Sequence, residues 1–279
     1  MIRREWLEGW PARFGVLIAF LLIFGGCSGS KQSPTPTPVA SSSAGSVSQT
    51  TVPSADTKPT AVATTPPSTD TSAVHDEPVV FETTDGVQIH GHLYSIPGPL
   101  RKVVVFGHEY PKDQTAWRDF ARQLATKGIN ALTFDFRGYG ETGGSKDPSK
   151  INLDMDAAVR FMSSRDYPLI YLIGGSMGGT AALKVAAQEK VAGVAAVSAP
   201  VSFMGLDASS DVAKITAPKL FIASSGDDDA PAAVQTFMDE AQQPKQSKIY
   251  DGSEHATDIF KGPNGADFTA QLLKFLGAS

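Results

Sequence analysis

The sequence has little cysteine: Cys27 is the single one among 279 residues. One cysteine excludes an intramolecular disulfide framework and a cysteine-rich zinc site. The chain also lacks an excess of basic residues, since 24 Lys and Arg stand against 29 Asp and Glu, a net charge of −5. This balance argues against nucleic-acid binding, which normally requires a basic face. Packing alone is therefore expected to stabilise the fold.

Residues 28–75 lack every large apolar side chain: they contain no Leu, Ile, Phe, Met, Trp or Tyr. Ser, Thr and Pro make up 28 of these 48 residues. Such a segment buries too little apolar surface to offset the entropy of ordering, so we expect an extended, solvated tether. Its end-to-end distance as a coil is on the order of 40 Å. The core must therefore lie beyond it, in a domain spanning residues 76–279.

The N-terminus has the layout of a secretory signal over residues 1–27. Three arginines precede an apolar run of 11 residues, 14–24. This length suits a signal peptide and falls short of the roughly 20 residues that span a bilayer as a helix. Small residues directly before Cys27 resemble a bacterial lipobox, in which the cysteine is lipidated and becomes the N-terminus after cleavage. An ordinary cleaved signal or a short uncleaved anchor remains the alternative.

Beyond the tether, short apolar runs alternate with amphipathic segments at helical spacing, which is typical of one α/β domain. The predicted strands are 79–83, 87–95, 102–106, 129–136, 169–173, 191–198, 219–223 and 247–250. The predicted helices are 114–127, 153–163, 177–189, 232–241 and 267–276. The first two strands are joined by a three-residue turn and predict an antiparallel hairpin. The remainder predicts a mostly parallel eight-stranded sheet with helices on both faces.

The strongest chemical signal is Gly174-Gly175-Ser176-Met177-Gly178-Gly179, a G-x-S-x-G motif between a predicted strand and a predicted helix. A serine on such a sharp turn projects its hydroxyl clear of the sheet, and the glycines are needed because side chains there would clash. The N–H groups of the helix N-terminus would face a developing negative charge. A helix-capping serine in a glycine-rich turn is the alternative. The assignment of a nucleophile therefore needs support from further residues.

With this motif, the order of elements over residues 79–276 resembles the α/β-hydrolase family, in its dienelactone-hydrolase-like or serine-aminopeptidase-like branches. That family carries a Ser-acid-His triad in this chain order. The resemblance implies that Ser176 is the nucleophile and His255 the general base, because His255 is the only histidine after Ser176.

The resemblance places the triad acid in the turn after strand 219–223, where the family often has a glycine, two variable residues and then aspartate. Gly226-Asp227-Asp228-Asp229 is similar in spacing, so Asp229 is predicted as the acid. Asp228 and Asp227 remain the alternatives.

The family also implies two backbone N–H donors for the oxyanion. One is Met177, which follows the nucleophile. The other is Tyr110, because His108-Glu109-Tyr110 resembles the family's His-Gly-x turn with Glu109 in place of glycine. His108 itself is interpreted as a structural loop residue.

A second glycine-rich segment, Asp135 to Gly140, matches the family's turn after its fourth strand. Gly138, Gly140 and Gly143 also fit the spacing of a dinucleotide fingerprint, but no helical pattern opens after them, so NAD binding is rejected. Asp135 and Arg137 are expected to brace the loops around the site. No cofactor or metal is predicted.

These observations predict an exported serine hydrolase, lipid-anchored at Cys27, that cleaves carboxylic esters through an acyl-enzyme intermediate. Only 16 residues, 199–214, occupy the place where many relatives insert a lid, which predicts an open site for small or solvent-exposed acyl groups. A peptidase or acyltransferase with the same triad is one alternative. A non-catalytic, envelope-binding lipoprotein with a hydrolase fold is another. The membrane and a small-molecule ester are the predicted partners, and oligomeric state is left open.

Overall fold

The computed structural model describes residues 73–99 and 101–278. The predicted signal segment with Cys27, and nearly all of the predicted tether, lie outside the described residues. Within them, no helix has the length and apolar character needed to cross a membrane.

The centre of the domain is an eight-stranded sheet in the order β1-β2-β4-β3-β5-β6-β9-β10. The antiparallel pairs are β1 with β2 and β2 with β4, and all other neighbours are parallel. The strands are β1 His75–Glu82, β2 Gln88–Ser95, β3 Lys102–Gly107, β4 Asn130–Phe134, β5 Leu169–Gly175, β6 Gly193–Val197, β9 Lys219–Ser224 and β10 Lys245–Tyr250. This arrangement confirms the predicted fold class, a mostly parallel sheet with an N-terminal antiparallel hairpin.

Helices cover both faces of the sheet. They are α1 Arg118–Thr126, α2 Ile151–Ser164, α3 Met177–Ala186, α4 Ala230–Glu240 and α5 Gly265–Phe275. Apolar residues of α1 and α5 pack into one core cluster, and those of α2, α3 and α4 pack into a second. The central strands β4 and β6 are buried along their whole length, as expected for strands covered on both sides.

A short antiparallel hairpin formed by β7, Ser202–Phe203, and β8, Leu206–Asp207, lies between β6 and β9. The sequence pattern predicted no strand here. The tip residue Met204 is 70% exposed. The hairpin occupies the segment where the sequence predicted at most a minimal lid.

The parallel strands bring the predicted site residues to one edge of the sheet. Parallel strands end at the same edge, and in such sheets ligands bind outside the carboxyl ends of the strands. Tyr110 follows β3, Ser176 follows β5, the three aspartates 227–229 follow β9, and His255 follows β10. The topology therefore assembles residues that are up to 145 positions apart in the sequence.

Candidate active site

Ser176 lies on a sharp turn between β5 and α3, with φ +48° and ψ −121°. A positive φ is unusual for a residue other than glycine and persists only where its surroundings hold it. Here the backbone N–H of Ser176 donates to the carbonyl oxygen of Val197 at 2.8 Å, and its own carbonyl accepts from the N–H of Gly179 at 2.8 Å. The turn is therefore tied to β6 on one side and to the first turn of α3 on the other.

The glycines of the motif permit a close approach of three elements. A Cβ added at Gly174 would overlap the carbonyl group of Gly178. A Cβ added at Gly178 would lie 2.7 Å from the carbonyl oxygen of His108 and still closer to that of Gly107. The absence of side chains thus lets the start of α3 pack directly against the loop that follows β3.

His255 and Asp227 are in contact, with 2.7 Å between Nδ1 of the imidazole and Oδ1 of the carboxylate. The Asp227 side chain is 4% exposed, whereas that of His255 is 41% exposed. The hydrogen bond to Asp227 raises the pKa of His255, and burial opposes this effect. A histidine held in this way keeps its Nδ1 protonated and leaves Nε2 free to accept a proton.

The prediction that Asp229 contacts His255 is wrong, because Asp227 makes this contact. The backbone of Gly226 still bonds to the neighbouring loop, donating to the carbonyl oxygen of Gly252 at 2.8 Å, so Asp227 is the first residue beyond this pairing. Asp229 is already the N-cap of α4, and both it and Asp228 are exposed. The aspartate that contacts His255 therefore lies two residues earlier in the chain than the family spacing implied.

The turn that carries Ser176 touches the loop that carries His255. A Cβ added at Gly175 would lie 3.0 Å from Cβ of Ala256, so the residues adjacent to Ser176 and His255 are in van der Waals contact. The N–H of Ala256 also donates to Oγ of Ser198, which follows β6, at 2.9 Å. Ser198 thus holds the residue that follows His255, and nothing in its local sequence distinguishes it.

The two residues predicted to supply oxyanion donors lie at the start of α3 and in the loop after β3. Met177 is the first residue of α3, where backbone N–H groups have no acceptor within the helix. Tyr110 lies in the loop after β3 and is 51% exposed. His108 in the same loop is fully buried and accepts from the N–H of Phe136 at 3.1 Å, while burial lowers its pKa. These contacts match the structural role predicted for His108.

Asp135 braces the loops that follow β3 and β4, as expected from the sequence. Its carboxylate accepts from the backbone N–H and the side-chain amide of Gln114 at 2.8 and 2.9 Å, and from the N–H of Glu141 at 2.9 Å. A buried carboxylate with several N–H donors is well satisfied. The carboxylate therefore fixes the loop carrying Tyr110 at its far end.

The segment with the dinucleotide-like spacing forms turns. The N–H of Gly138 donates to the carbonyl oxygen of Gly143 at 3.0 Å, and α2 does not begin until Ile151. No helix N-terminus is therefore placed to receive a pyrophosphate. In the described part of the chain, no three His, Cys, Asp or Glu side chains are grouped as candidate metal ligands.

Comparisons with known proteins agree with this architecture. A family model described as "alpha/beta hydrolase fold" matches residues 102–221. An uncharacterised protein of Mycobacterium tuberculosis strain H37Rv is 28% identical over 200 residues, which cover 63% of this chain and 71% of that protein.

Solved structures share the fold as well. An esterase of Pyrococcus furiosus is similar with a TM-score of 0.65 and 22% identity, over 73% of this chain and 91% of that one. An esterase from Exiguobacterium antarcticum has a TM-score of 0.61 and 15% identity, over 71% and 98% of the two chains. At these identities the likeness concerns the fold alone.

Proposed function

Because this chain has the alpha/beta hydrolase fold, we propose that it is a serine hydrolase that cleaves carboxylic esters, with Ser176 as nucleophile, His255 as base and Asp227 as the acid. The observation that carries the proposal is the 2.7 Å contact between His255 and Asp227, at the sheet edge where Ser176 stands on a strained turn. Fold alone does not specify chemistry, so these side chains, and not the fold, support the assignment.

In the first half-reaction, Oγ of Ser176 attacks the ester carbonyl while Nε2 of His255 takes the hydroxyl proton. A serine hydroxyl is a weak nucleophile at neutral pH and needs such a base. Asp227 holds the imidazole in the correct tautomer and stabilises the imidazolium as it forms. His255 then gives the proton to the departing alkoxide, so an alcohol leaves and an acyl-enzyme remains.

In the second half-reaction, His255 removes a proton from water as the water oxygen attacks the acyl carbon. His255 then returns this proton to Oγ of Ser176 as the bond to the acyl group breaks, so a carboxylic acid leaves and the free serine is restored. Both half-reactions place negative charge on the former carbonyl oxygen. We assign its stabilisation to the backbone N–H groups of Met177 and Tyr110. In a well-studied hydrolase, removing one such donor costs about 3 to 4 kcal/mol of transition-state stabilisation.

The proposed substrate is an ester with a small or solvent-exposed acyl group. Between β6 and β9 the described residues form only the small β7–β8 hairpin and a single turn of 3-10 helix, Val212–Lys214, so they contain no large lid at this position. An open site suits small or solvent-exposed acyl groups. The esterases with the same fold add support for a hydrolase that acts on esters.

The full-length protein is expected to hydrolyse p-nitrophenyl esters, with higher kcat/KM for short acyl chains than for long ones. Ser176→Ala should lower kcat on the order of 10⁵- to 10⁶-fold, because the triad acts as a unit. Ser247→Ala, which changes an exposed serine on β10, serves as the matched control and should retain activity. A folded wild-type protein that hydrolyses none of these esters would refute the proposed function.

We further propose that the protein is exported and anchored at Cys27. The support is the sequence pattern of residues 1–27 together with the Ser-, Thr- and Pro-rich composition of residues 28–75. The mass of the N-terminal peptide from membrane fractions tests this proposal: a diacylglyceryl-modified Cys27 is expected, and an unmodified residue at a cleaved N-terminus would contradict it.

A further inference from the structure

Glu109 is a buried carboxylate next to the proposed oxyanion donor Tyr110. Its side chain is 1% exposed. Its Oε1 accepts from the hydroxyl of Thr257 and from the ammonium group of Lys112, the latter at 2.9 Å. Lys112 also donates to the Thr257 hydroxyl at 3.1 Å and pairs with Asp258 at 2.8 Å. These contacts join the loop after β3 to the segment directly after His255.

The second oxygen of the same carboxylate points at the nucleophile turn. Oε2 of Glu109 is buried and has no hydrogen-bond partner among the described residues. A Cβ added at Gly175 would lie 3.1 Å from Oε2 of Glu109 and 3.0 Å from Cβ of Ala256. Both atoms therefore lie on the same side of Gly175. Leaving a buried charged oxygen unpaired is costly, so such a group calls for an explanation.

We propose that Glu109 is a positioning residue that clamps the loop carrying Tyr110 to the loop carrying His255 and places a second carboxylate beside the imidazolium formed during the reaction. This inference rests on the proposed function and deepens it. The sequence presented Glu109 only as a departure from the glycine of the family's turn. The structure gives that departure two consequences, one geometric and one electrostatic.

The geometric consequence is that the contacts of Glu109 fix two loops, one of which carries Tyr110 and the other His255. The β3 loop is held at its far end by Asp135 and at its near end by Glu109, with Tyr110 between. The partner residue Thr257 is two positions from His255. A misplacement of about 1 Å at a reacting group can cost on the order of 100-fold in rate. Loosening the clamp should therefore lower kcat.

The electrostatic consequence follows from the charged groups that act on the pKa of His255. They are Asp227 from the β9 loop, and Glu109 and Lys112 from the β3 loop. Asp227 contributes most to raising the pKa of His255, Glu109 raises it further, and Lys112 together with burial lowers it. Removing the Glu109 charge should therefore lower the pKa of His255. Since the base must be neutral, the acid limb of kcat/KM should move to lower pH.

The test compares full-length wild-type protein with Glu109→Gln, which keeps an oxygen acceptor for Thr257 and removes the charge. The pKa of His255 is measured directly by NMR titration of the imidazole, and kcat and KM are measured across pH with a p-nitrophenyl ester. Glu141→Gln makes the same chemical change at an exposed position and is the matched control. Thr257→Val removes the hydroxyl contact and keeps the charge.

We expect Glu109→Gln to lower the pKa of His255 and to lower kcat about tenfold, with little change in KM, because a carboxylate that stabilises the imidazolium is lost. Thr257→Val should lower kcat without lowering this pKa, and Glu141→Gln should change neither. A folded Glu109→Gln protein with unchanged titration and unchanged kcat would overturn the proposal. If Glu109→Gln does not fold, unchanged kcat in folded Thr257→Val would overturn it. Because the titration needs no substrate, a wild type without esterase activity would refute the function while the titration still decides the role of Glu109.

Discussion

Asp227→Asn is expected to lower kcat for ester hydrolysis about 10⁴-fold, the size of effect that loss of the correct histidine tautomer has in a well-studied serine protease. The amide can present an N–H group to Nδ1 of His255, which then holds the wrong tautomer and loses the ability to accept the serine proton at Nε2. Steady-state kinetics with a p-nitrophenyl ester measure the effect.

Asp229→Asn is the matched control for this substitution. Asp229 is exposed and makes no side-chain capping hydrogen bond at the start of α4. Its substitution should leave kcat unchanged. The reverse pattern, with activity lost in Asp229→Asn and kept in Asp227→Asn, would show that the loop adopts a different conformation during catalysis and would contradict the assignment.

Arg137→Met is expected to destabilise the fold by about 3 to 5 kcal/mol, as is typical when one partner of a buried ion pair is removed. The Arg137 side chain is 5% exposed and donates to the fully buried carboxylate of Asp154 at 2.6 Å. Its guanidinium also pairs with Asp85 at 2.8 Å, which joins the hairpin turn to α2. Without Arg137, the charge of Asp154 would be left buried with too few partners.

Urea unfolding measures this loss as a change in midpoint at constant m-value. Arg165→Met is the matched control, because Arg165 pairs with Glu77 at 2.9 Å on the surface. Exposed pairs contribute about 0 to 1 kcal/mol, so this variant should unfold almost as the wild type does. Equal losses of stability in the two variants would contradict a buried structural role for Arg137.

The sequence predicted those features that depend on local patterns. The strand-turn-helix around Ser176 was predictable because its glycines and the flanking apolar run are contiguous, and the structure places the serine on the expected turn. His255 was predictable from chain order together with the end of a strand. The mostly parallel sheet was predictable from the alternation of strands and helices, since a helical crossover joins parallel neighbours.

The choice among three adjacent aspartates depended instead on contacts between distant loops. Asp227 is selected because Gly226 still pairs with Gly252, a backbone contact across 26 positions that no local pattern encodes. The hydrogen-bond network of Glu109, Lys112 and Thr257 could not be predicted for the same reason, because Glu109 and Thr257 are 148 positions apart in the sequence. The β7–β8 hairpin was missed because two-residue strands carry too little alternation to detect.

Labelling with a fluorophosphonate followed by peptide mapping tests the central claim most directly, because the reagent phosphonylates only an activated serine. We expect a single label on the peptide that contains Ser176, no label in Ser176→Ala, and much slower labelling in His255→Ala. A folded wild-type protein that takes no label, or that is labelled at another serine, would contradict this claim.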